Sequence, residues 1–207
     1  MYRWYKVNKD EKCFKLLDGN IGYITLANIK KEEISKIKKS FKNTKGIIID
    51  IRNYPSTFVP ITLGSYFVSK PTSFVTFTNG NINNPGEFTF TKTIKIPGGK
   101  NYYQGKLVVL VNENSQSQAE YTAMAFRAGE NTKIIGSTTA GADGNVSTIF
   151  LPGGLRTMIS GIGVYYPNGK ETQRIGIVPD IIIKPTIKGI KKGKDEVMEK
   201  ANEMINQ

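Results

Sequence analysis

Histidine is absent from all 207 residues, and cysteine and tryptophan occur once each. With no imidazole and a single thiol, Cys13, the usual zinc ligand sets cannot be assembled and no intramolecular disulfide can close. No metal and no cofactor is therefore expected. Long apolar runs are also missing: nothing approaches the roughly 18 residues needed to cross a bilayer, and the first twenty residues, rich in lysine and aromatics, have no apolar h-region. A soluble chain without a membrane span is expected, with any export signal lying on a longer precursor. Acidic residues are few, 17 against 29 basic ones, giving a net charge of +12. Such a balance invites a nucleic-acid partner. The lysines, however, spread over a solvated helix face (Lys30, Lys31, Lys36, Lys38, Lys39, Lys42) and a stretch near the end (Lys188, Lys191, Lys192, Lys194), without an arginine-rich, aromatic-interleaved stripe. A general surface bias explains them, and no nucleic-acid partner is expected.

What is present is the composition of an ordered globular protein: 39% hydrophobic and 22% charged residues, with ten each of Tyr and Phe. Ile21 to Leu26 reads as a strand, and Ile34, Ile37 and Phe41 recur at helical spacing among lysines and glutamates. Gly46 then opens Ile47 to Ile51, a continuous apolar run of the kind buried on both faces of a parallel sheet. Strand, helix and strand make a βαβ unit. Phe58 to Val68 is read as a second helix carrying Leu63, Tyr66 and Phe67, and Ser73 to Thr78 as β-like, followed by a turn-rich stretch to Gly86. A second βαβ unit runs from Lys106–Val111 through a helix over Gln118–Ala128 to Lys133–Gly136. Beyond Gly144 a β-hairpin is expected, Val146–Leu151 and Leu155–Ser160 around Pro152-Gly153-Gly154, then a β-like Gly163–Tyr166. An amphipathic helix from Asp195 to Asn206 presents Val197, Ala201, Met204 and Ile205 on one face. No repeat or linker is visible, so residues 1–207 are read as one α/β domain.

In open α/β sheets reactive groups collect beyond the carboxyl ends of the strands. Two loops there are informative: Asn112–Gln118, which enters a helix, and Ile51–Thr57, which follows Asp50. Ser117 stands at a helix mouth, where free N–H groups and the positive dipole end favour developing negative charge. Ser117-Gln118-Ala119-Glu120 also has the S-x-x-E form of a capping box, and spacing alone favours the cap.

The segment Val109-Leu110-Val111-Asn112-Glu113-Asn114-Ser115-Gln116-Ser117-Gln118-Ala119-Glu120 resembles the nucleophile segment of the C-terminal processing (tail-specific) and tricorn-type serine peptidases. Three further segments agree in order. Asp50-Ile51-Arg52-Asn53-Tyr54-Pro55 is similar to the family's D-x-R-x-x strand end. Ile135 to Gly141 is similar to its glycine loop, and Gly176-Ile177-Val178-Pro179-Asp180 to its G-x-x-P-D. The resemblance implies a ClpP/crotonase-like core, here with a β-hairpin extension and a C-terminal helix. It also implies hydrolysis of peptide bonds in unfolded or C-terminal segments through an acyl-enzyme, and an envelope or exported setting for which the sequence itself carries no address.

Carried over by position, the resemblance makes Ser117 the nucleophile and Ser115 a loop residue. The oxyanion hole would use the N–H of Gln118 and one from the Ser56-Thr57 stretch, where the family has a glycine. A base is missing, and a serine hydroxyl attacks poorly without one. The Ser-Lys branch would put lysine within Gly141–Gly144, most nearly at Ala142. The tricorn-type branch would draw a histidine from earlier in the chain, oriented by a glutamate whose best match is Gln173. The base then comes from the N-terminal half of a longer protein, including a PDZ-like module, which ranks first; or from a sequence-distant lysine such as Lys106 or Lys133; or catalysis has been lost. Beside the site, Glu120 is read as a cap partner, Asp143 as a turn residue rather than an orienter, Asp50 and Arg52 as a strand-end salt bridge, and Asp180 as structural. The rival class is a non-catalytic peptide-binding or assembly module that keeps the fold. A coenzyme-A-binding crotonase is a weaker third.

Overall fold

The computed structural model describes residues 12–207. Most of the lysine- and aromatic-rich start, through residue 11, lies outside the described residues.

β1 (Phe14–Leu17) pairs antiparallel with β2 (Ile21–Thr25). From β2 the chain crosses through α1 (Ile34–Phe41), which buries Ile34, Ile37 and Phe41, to β3 (Gly46–Asp50), parallel to β2. The helix expected over residues 58–68 is shorter: α2 is Pro60–Gly64. Proline suits the first turn of a helix, where its missing N–H is not needed, so the helix begins there. Tyr66 and Phe67 are still buried, but from the turn that follows, clustered with Tyr103 and Phe126.

β4 (Thr72–Gly80) is the spine of a second, antiparallel sheet that includes β5 (Phe88–Phe90) and β6 (Ile94–Ile96). β7 (Lys106–Val111), α3 (Gln118–Arg127) and β8 (Thr132–Gly136) form the second crossover, with β7 parallel to β3 and β8 parallel to β7. β9 (Val146–Phe150) and β10 (Arg156–Ser160) make the expected hairpin, exposed along both strands and paired only with each other. β11 (Val164–Tyr165) returns to the edge of β4, and β12 (Ile181–Ile182) joins β8 in parallel. The short α4 (Ile187–Lys191) and then α5 (Glu196–Asn206) close the chain. No helix among the described residues is long and apolar enough to cross a membrane.

The main sheet runs β1-β2-β3-β7-β8-β12. Alternation divides its side chains cleanly between two cores. Ile47, Ile49, Leu107, Val109 and Val111 face α1, α2 and α3, whereas Ile48, Val108 and Leu110 face Val197, Ala201 and Ile205 of α5. Burial on both sides is why β3 and β7 read as unbroken apolar runs.

Because β2, β3, β7 and β8 are parallel, their carboxyl ends share one edge, and the loops leaving them converge. Gly136 fixes the last of these exits. Its φ is +127°, and a Cβ there would lie 1.9 Å from the Val111 carbonyl oxygen. Backbone cannot yield as a flexible side chain does, so Gly136→Ala is expected to destabilise the protein by about 3 kcal/mol or more, read as a lowered urea midpoint.

Candidate active site

The two serines of the S-x-S segment are physically distinct. Ser115 is fully buried; its Oγ donates to the Ile51 carbonyl (2.8 Å) and accepts from the Asn112 N–H (3.1 Å), pinning the loop to the end of β3. Ser117 is half-buried, at the mouth of α3, with φ 53° and ψ −118°. The S-x-x-E geometry does form, the Ser117 N–H donating to the Glu120 carboxylate at 3.0 Å. An ordinary N-cap, however, has extended backbone angles. A serine at positive φ carries strain of about 1–3 kcal/mol, which the surrounding structure must hold in place. Sharp, strained strand-to-helix turns of this kind present a nucleophilic hydroxyl to solvent.

Glu120 does far more than cap. It is fully buried, and besides Ser117 it accepts from Thr139 Oγ1 (2.5 Å), the Gly141 N–H (2.7 Å) and the Ala142 N–H (2.9 Å). One oxygen, Oε2, holds both the Ser117 and the Ala142 nitrogens, which places them within about 6 Å of each other. The position matched to the family's lysine is thus beside the serine, and it holds alanine.

Other bonds stitch the four dispersed motifs into one edge. The Ala140 N–H donates to the Ser115 carbonyl, and the Ile177 N–H donates to Thr139 Oγ1. Asp180 accepts from the Ile134 N–H at 2.7 Å, the structural role expected of it. Arg52, buried, pairs with Asp50 and also forks onto Asp195 at the start of α5, with nitrogen-to-oxygen distances of 2.7 and 2.8 Å. Asp50 and Asp195 together hold the guanidinium's pKa well above its ordinary value, against the opposing effect of burial. That second partner, 143 residues away, was not foreseen.

Four of the expected roles need revision. The Ser56 N–H donates to the Leu26 carbonyl (2.9 Å) and its hydroxyl to Ile29 (2.7 Å), so its amide is unavailable to an oxyanion. The hydroxyl of Thr57 also donates to the Ile29 carbonyl, at 2.8 Å. Lys106 and Lys133 lie on the wrong part of the sheet: Lys106 starts β7, about 17 Å from its carboxyl end, and bonds Met204, while Lys133 is exposed on the amino half of β8. Gln173 is no stand-in for an orienting glutamate. Its Nε2 donates to the carbonyls of Asp143 and Ile162, both at 2.8 Å, and a carboxylate there would face those carbonyls with like charge.

Asp143 is the fourth. Expected as a turn residue rather than an orienter, it is only 7% exposed; Oδ1 accepts from the Gly144 N–H, and Oδ2 has no hydrogen-bond partner among the described residues. Burial, and secondarily the Glu120 carboxylate, push its pKa up to about 7. A folded-state value above the ordinary 3.8 means the fold binds the proton more tightly than the unfolded chain. Stability from this group is therefore fullest below about pH 4 and declines as pH rises to about 7, by up to about 4 kcal/mol. In Asp143→Asn that decline should vanish, so the urea midpoint of the variant exceeds the wild type's at pH 8 and the gap narrows to about 1 kcal/mol by pH 4.5.

Two more buried polar atoms on these loops, Asn53 Nδ2 and Gln118 Nε2, have no hydrogen-bond partner among the described residues. Beside Thr57, Phe58 stacks on Tyr121 (5.7 Å between centroids), which also meets Phe74 and Phe77, forming an aromatic wall. A cavity of about 700 Å³ lies at the opposite, amino edge of the sheet, lined by Lys38, Lys42, Lys100 and Tyr103 among others, away from this chemistry. Among the described residues, no group of three His, Cys, Asp or Glu side chains could hold a metal.

An α/β sheet with a strained serine at the strand-to-helix turn, beside a glycine loop, is an arrangement in which a serine hydroxyl can be presented for reaction. The model of Peptidase family S41 matches residues 20–183, and the chain belongs to that family. It is 27% identical over 199 residues to a carboxy-terminal-processing protease of Bartonella bacilliformis, covering 86% of this chain and 42% of that one. It is 30% identical over 152 residues to the nisin-resistance protein of Lactococcus lactis, covering 67% and 46%. A crystal structure from Parabacteroides merdae superimposes with a TM-score of 0.80 at 23% identity, covering 93% of this chain and 63% of that one. The chain spans a little under half the length of these two curated relatives.

Proposed function

We propose that the chain is the catalytic core of a serine peptidase, with a crotonase-like arrangement, that cleaves unfolded or C-terminal protein segments through an acyl-enzyme on Ser117. The observation that carries this reading is the Ser117 backbone, φ 53° and ψ −118°, a conformation that a helix cap does not need. In the mechanism, Ser117 Oγ attacks the scissile carbonyl as a base takes its proton, and the oxyanion is held by the Gln118 and Thr57 N–H groups. Each such donor is worth about 3 kcal/mol in the transition state. The departing amine takes the proton back from the base, and water repeats the sequence to free the enzyme. The Phe58–Tyr121 wall favours an apolar substrate side chain next to the scissile bond.

The base is assigned to a segment outside these residues, in keeping with the share of the relatives that the chain spans. The absence of histidine and of a lysine at position 142 favours one rival, a non-catalytic binding module. A fluorophosphonate probe decides between them. Covalent attachment at Ser117, lost in Ser117→Ala, is the expected result; a full-length protein that binds peptide but takes up no probe would establish the module.

A further inference from the structure

At the amino edge of the sheet, the last turn of α1, the turn into β3 and the loop into β7 enclose the cavity of about 700 Å³, a volume typical of small-molecule sites. Its lining is one-sided in charge. Lys38, Lys39 and Lys42 come from the end of α1 and Lys100 from the loop before β7, and no acidic residue lines it. Lysines at the end of a helix ordinarily answer the helix dipole, whose negative end is worth about half a charge. Four ammonium groups exceed that several times over. Glu130 acts on the phenol of Tyr102, a lining residue, but its carboxylate is taken by the Ser69 amide and hydroxyl, and one charge does not balance four. Lys38 is held ready. It is half-buried, its Nζ donating to the Thr62 carbonyl at 2.8 Å and lying 5.6 Å from the centre of the Tyr66 ring. Tyr66 is fixed in turn, its hydroxyl donating to the Lys38 carbonyl (3.1 Å) and its ring packing on Tyr103 (5.6 Å between centroids). Burial lowers the pKa of the Lys38 ammonium, with no carboxylate to offset it. A neutral carbonyl and a ring face thus orient the amine but leave its charge uncompensated, with two N–H donors to spare.

We propose that this cavity binds a phosphate-rich small molecule, one carrying two or more linked phosphates, at the end of the strands away from Ser117. Lysine binds as a point charge, which suits negative charge spread over tetrahedral phosphate oxygens. A flat carboxylate is better matched by the arginine fork, and no arginine lines the cavity. Convergence of four cations selects a ligand with several negative charges over a single phosphate. The side-chain amides of Asn43, Asn101 and Gln104, which also line the cavity, can donate to the same oxygens. Because Lys38 is already oriented by Thr62 and Tyr66, little of its freedom is left to lose when a ligand arrives. Composition alone assigns Lys38, Lys39 and Lys42 to a general surface bias; the fold adds Lys100 to them across one concavity and keeps acids out of it.

Calorimetric titration of the 207-residue chain with inorganic tripolyphosphate tests this. At physiological salt the expected result is saturable binding of one tripolyphosphate per chain. Affinity should fall about tenfold or more in Lys38→Met, and again in the double variant Lys39→Ala/Lys42→Ala, since a lost hydrogen bond to a charged group counts for about that factor. Lys38→Met keeps an aliphatic stem over Tyr66 and the double variant changes exposed residues only, and thermal melting checks that both fold. Lys188→Ala/Lys191→Ala is the control: it removes as much charge from residues outside the cavity lining and should leave the affinity within about twofold, because exposed charges beyond a Debye length are screened. Equal weakening in the control, or binding that never saturates, means attraction to the net charge of the chain and overturns the site. Vesicles containing phosphatidylglycerol separate a soluble ligand from a lipid headgroup. Vesicle binding that the cavity variants abolish, without binding of tripolyphosphate, overturns the proposal in favour of a membrane contact. Tripolyphosphate that gives neither heat nor a rise in melting temperature also overturns it.

Discussion

Ser117→Gly should melt at a higher temperature than the wild type while hydrolysing no peptide. Glycine occupies positive φ without the Cβ clash that serine suffers there, which relieves about 1–3 kcal/mol of strain. The greater chain entropy of glycine in the unfolded state returns roughly 0.5–1 kcal/mol of that. The net gain of about 1 kcal/mol would raise the melting temperature by roughly 2–4 °C for a chain of this size. Ser117→Ala keeps the Cβ and hence the strain, so it should abolish turnover without the gain in stability. Loss of the nucleophile is expected to cost about 10⁴-fold or more in kcat of the full-length enzyme. A plain helix cap behaves differently: its replacement by alanine costs about 1 kcal/mol and by glycine a few tenths, with no gain. A Ser117→Gly variant less stable than the wild type would therefore remove the strained-nucleophile argument.

The parts of this molecule that could be read in advance are those that a local pattern encodes. β3 and β7 were legible because burial on both faces leaves a continuous apolar run, and α1 and α5 because each lays one apolar stripe against the sheet. The hairpin was legible from its turn. Short pieces such as β1 and β12 were not, since four or two residues hold too little periodicity and their pairing is settled by the strands beside them. Ser117 could be singled out through the S-x-S segment, but its departure from the backbone angles of an ordinary cap could not, because those angles are set by tertiary contacts.

Asp143 shows the limit most clearly. An Asp-Gly pair after a glycine loop reads as a turn, and nothing in that local pattern tells that the aspartate is buried, or that the Glu120 carboxylate, on a helix more than twenty residues earlier, acts on its charge. The Arg52–Asp195 pair fails for the same reason: charge complementarity across 143 residues leaves no trace in spacing. Ser56 was matched to the oxyanion loop by position along the chain, but position carries no information on whether an amide is already bonded, as it is here to Leu26.

Glu120→Gln should be the most damaging isosteric change in the molecule. The carboxylate is fully buried and receives four donors, two on each oxygen, from Ser117, Thr139, Gly141 and Ala142. An amide can offer only one oxygen. If its nitrogen takes the Oε2 position it confronts the amides of Ser117 and Ala142, neither of which can turn away. If it takes the Oε1 position the Thr139 hydroxyl can rotate to accept, but the Gly141 amide is orphaned. The second arrangement is the less costly and still loses about 2–4 kcal/mol, because unsatisfied buried donors cost about 1–3 kcal/mol each and bonds to a charged group are the stronger kind. Glu120→Ala, which orphans all four donors, should lose more still and leave the chain unfolded in urea that the wild type tolerates. The damage should not be confined to stability. Glu120 is what holds loop 139–142 against the amide of Ser117, so in the folded fraction of Glu120→Gln the rate of fluorophosphonate labelling should fall by about tenfold or more, since small misplacements of reacting groups have effects of that size. Equal labelling rates per folded molecule in wild type and Glu120→Gln would mean that this carboxylate only closes the helix, and that the serine is positioned by the strand exit and Ser115 alone.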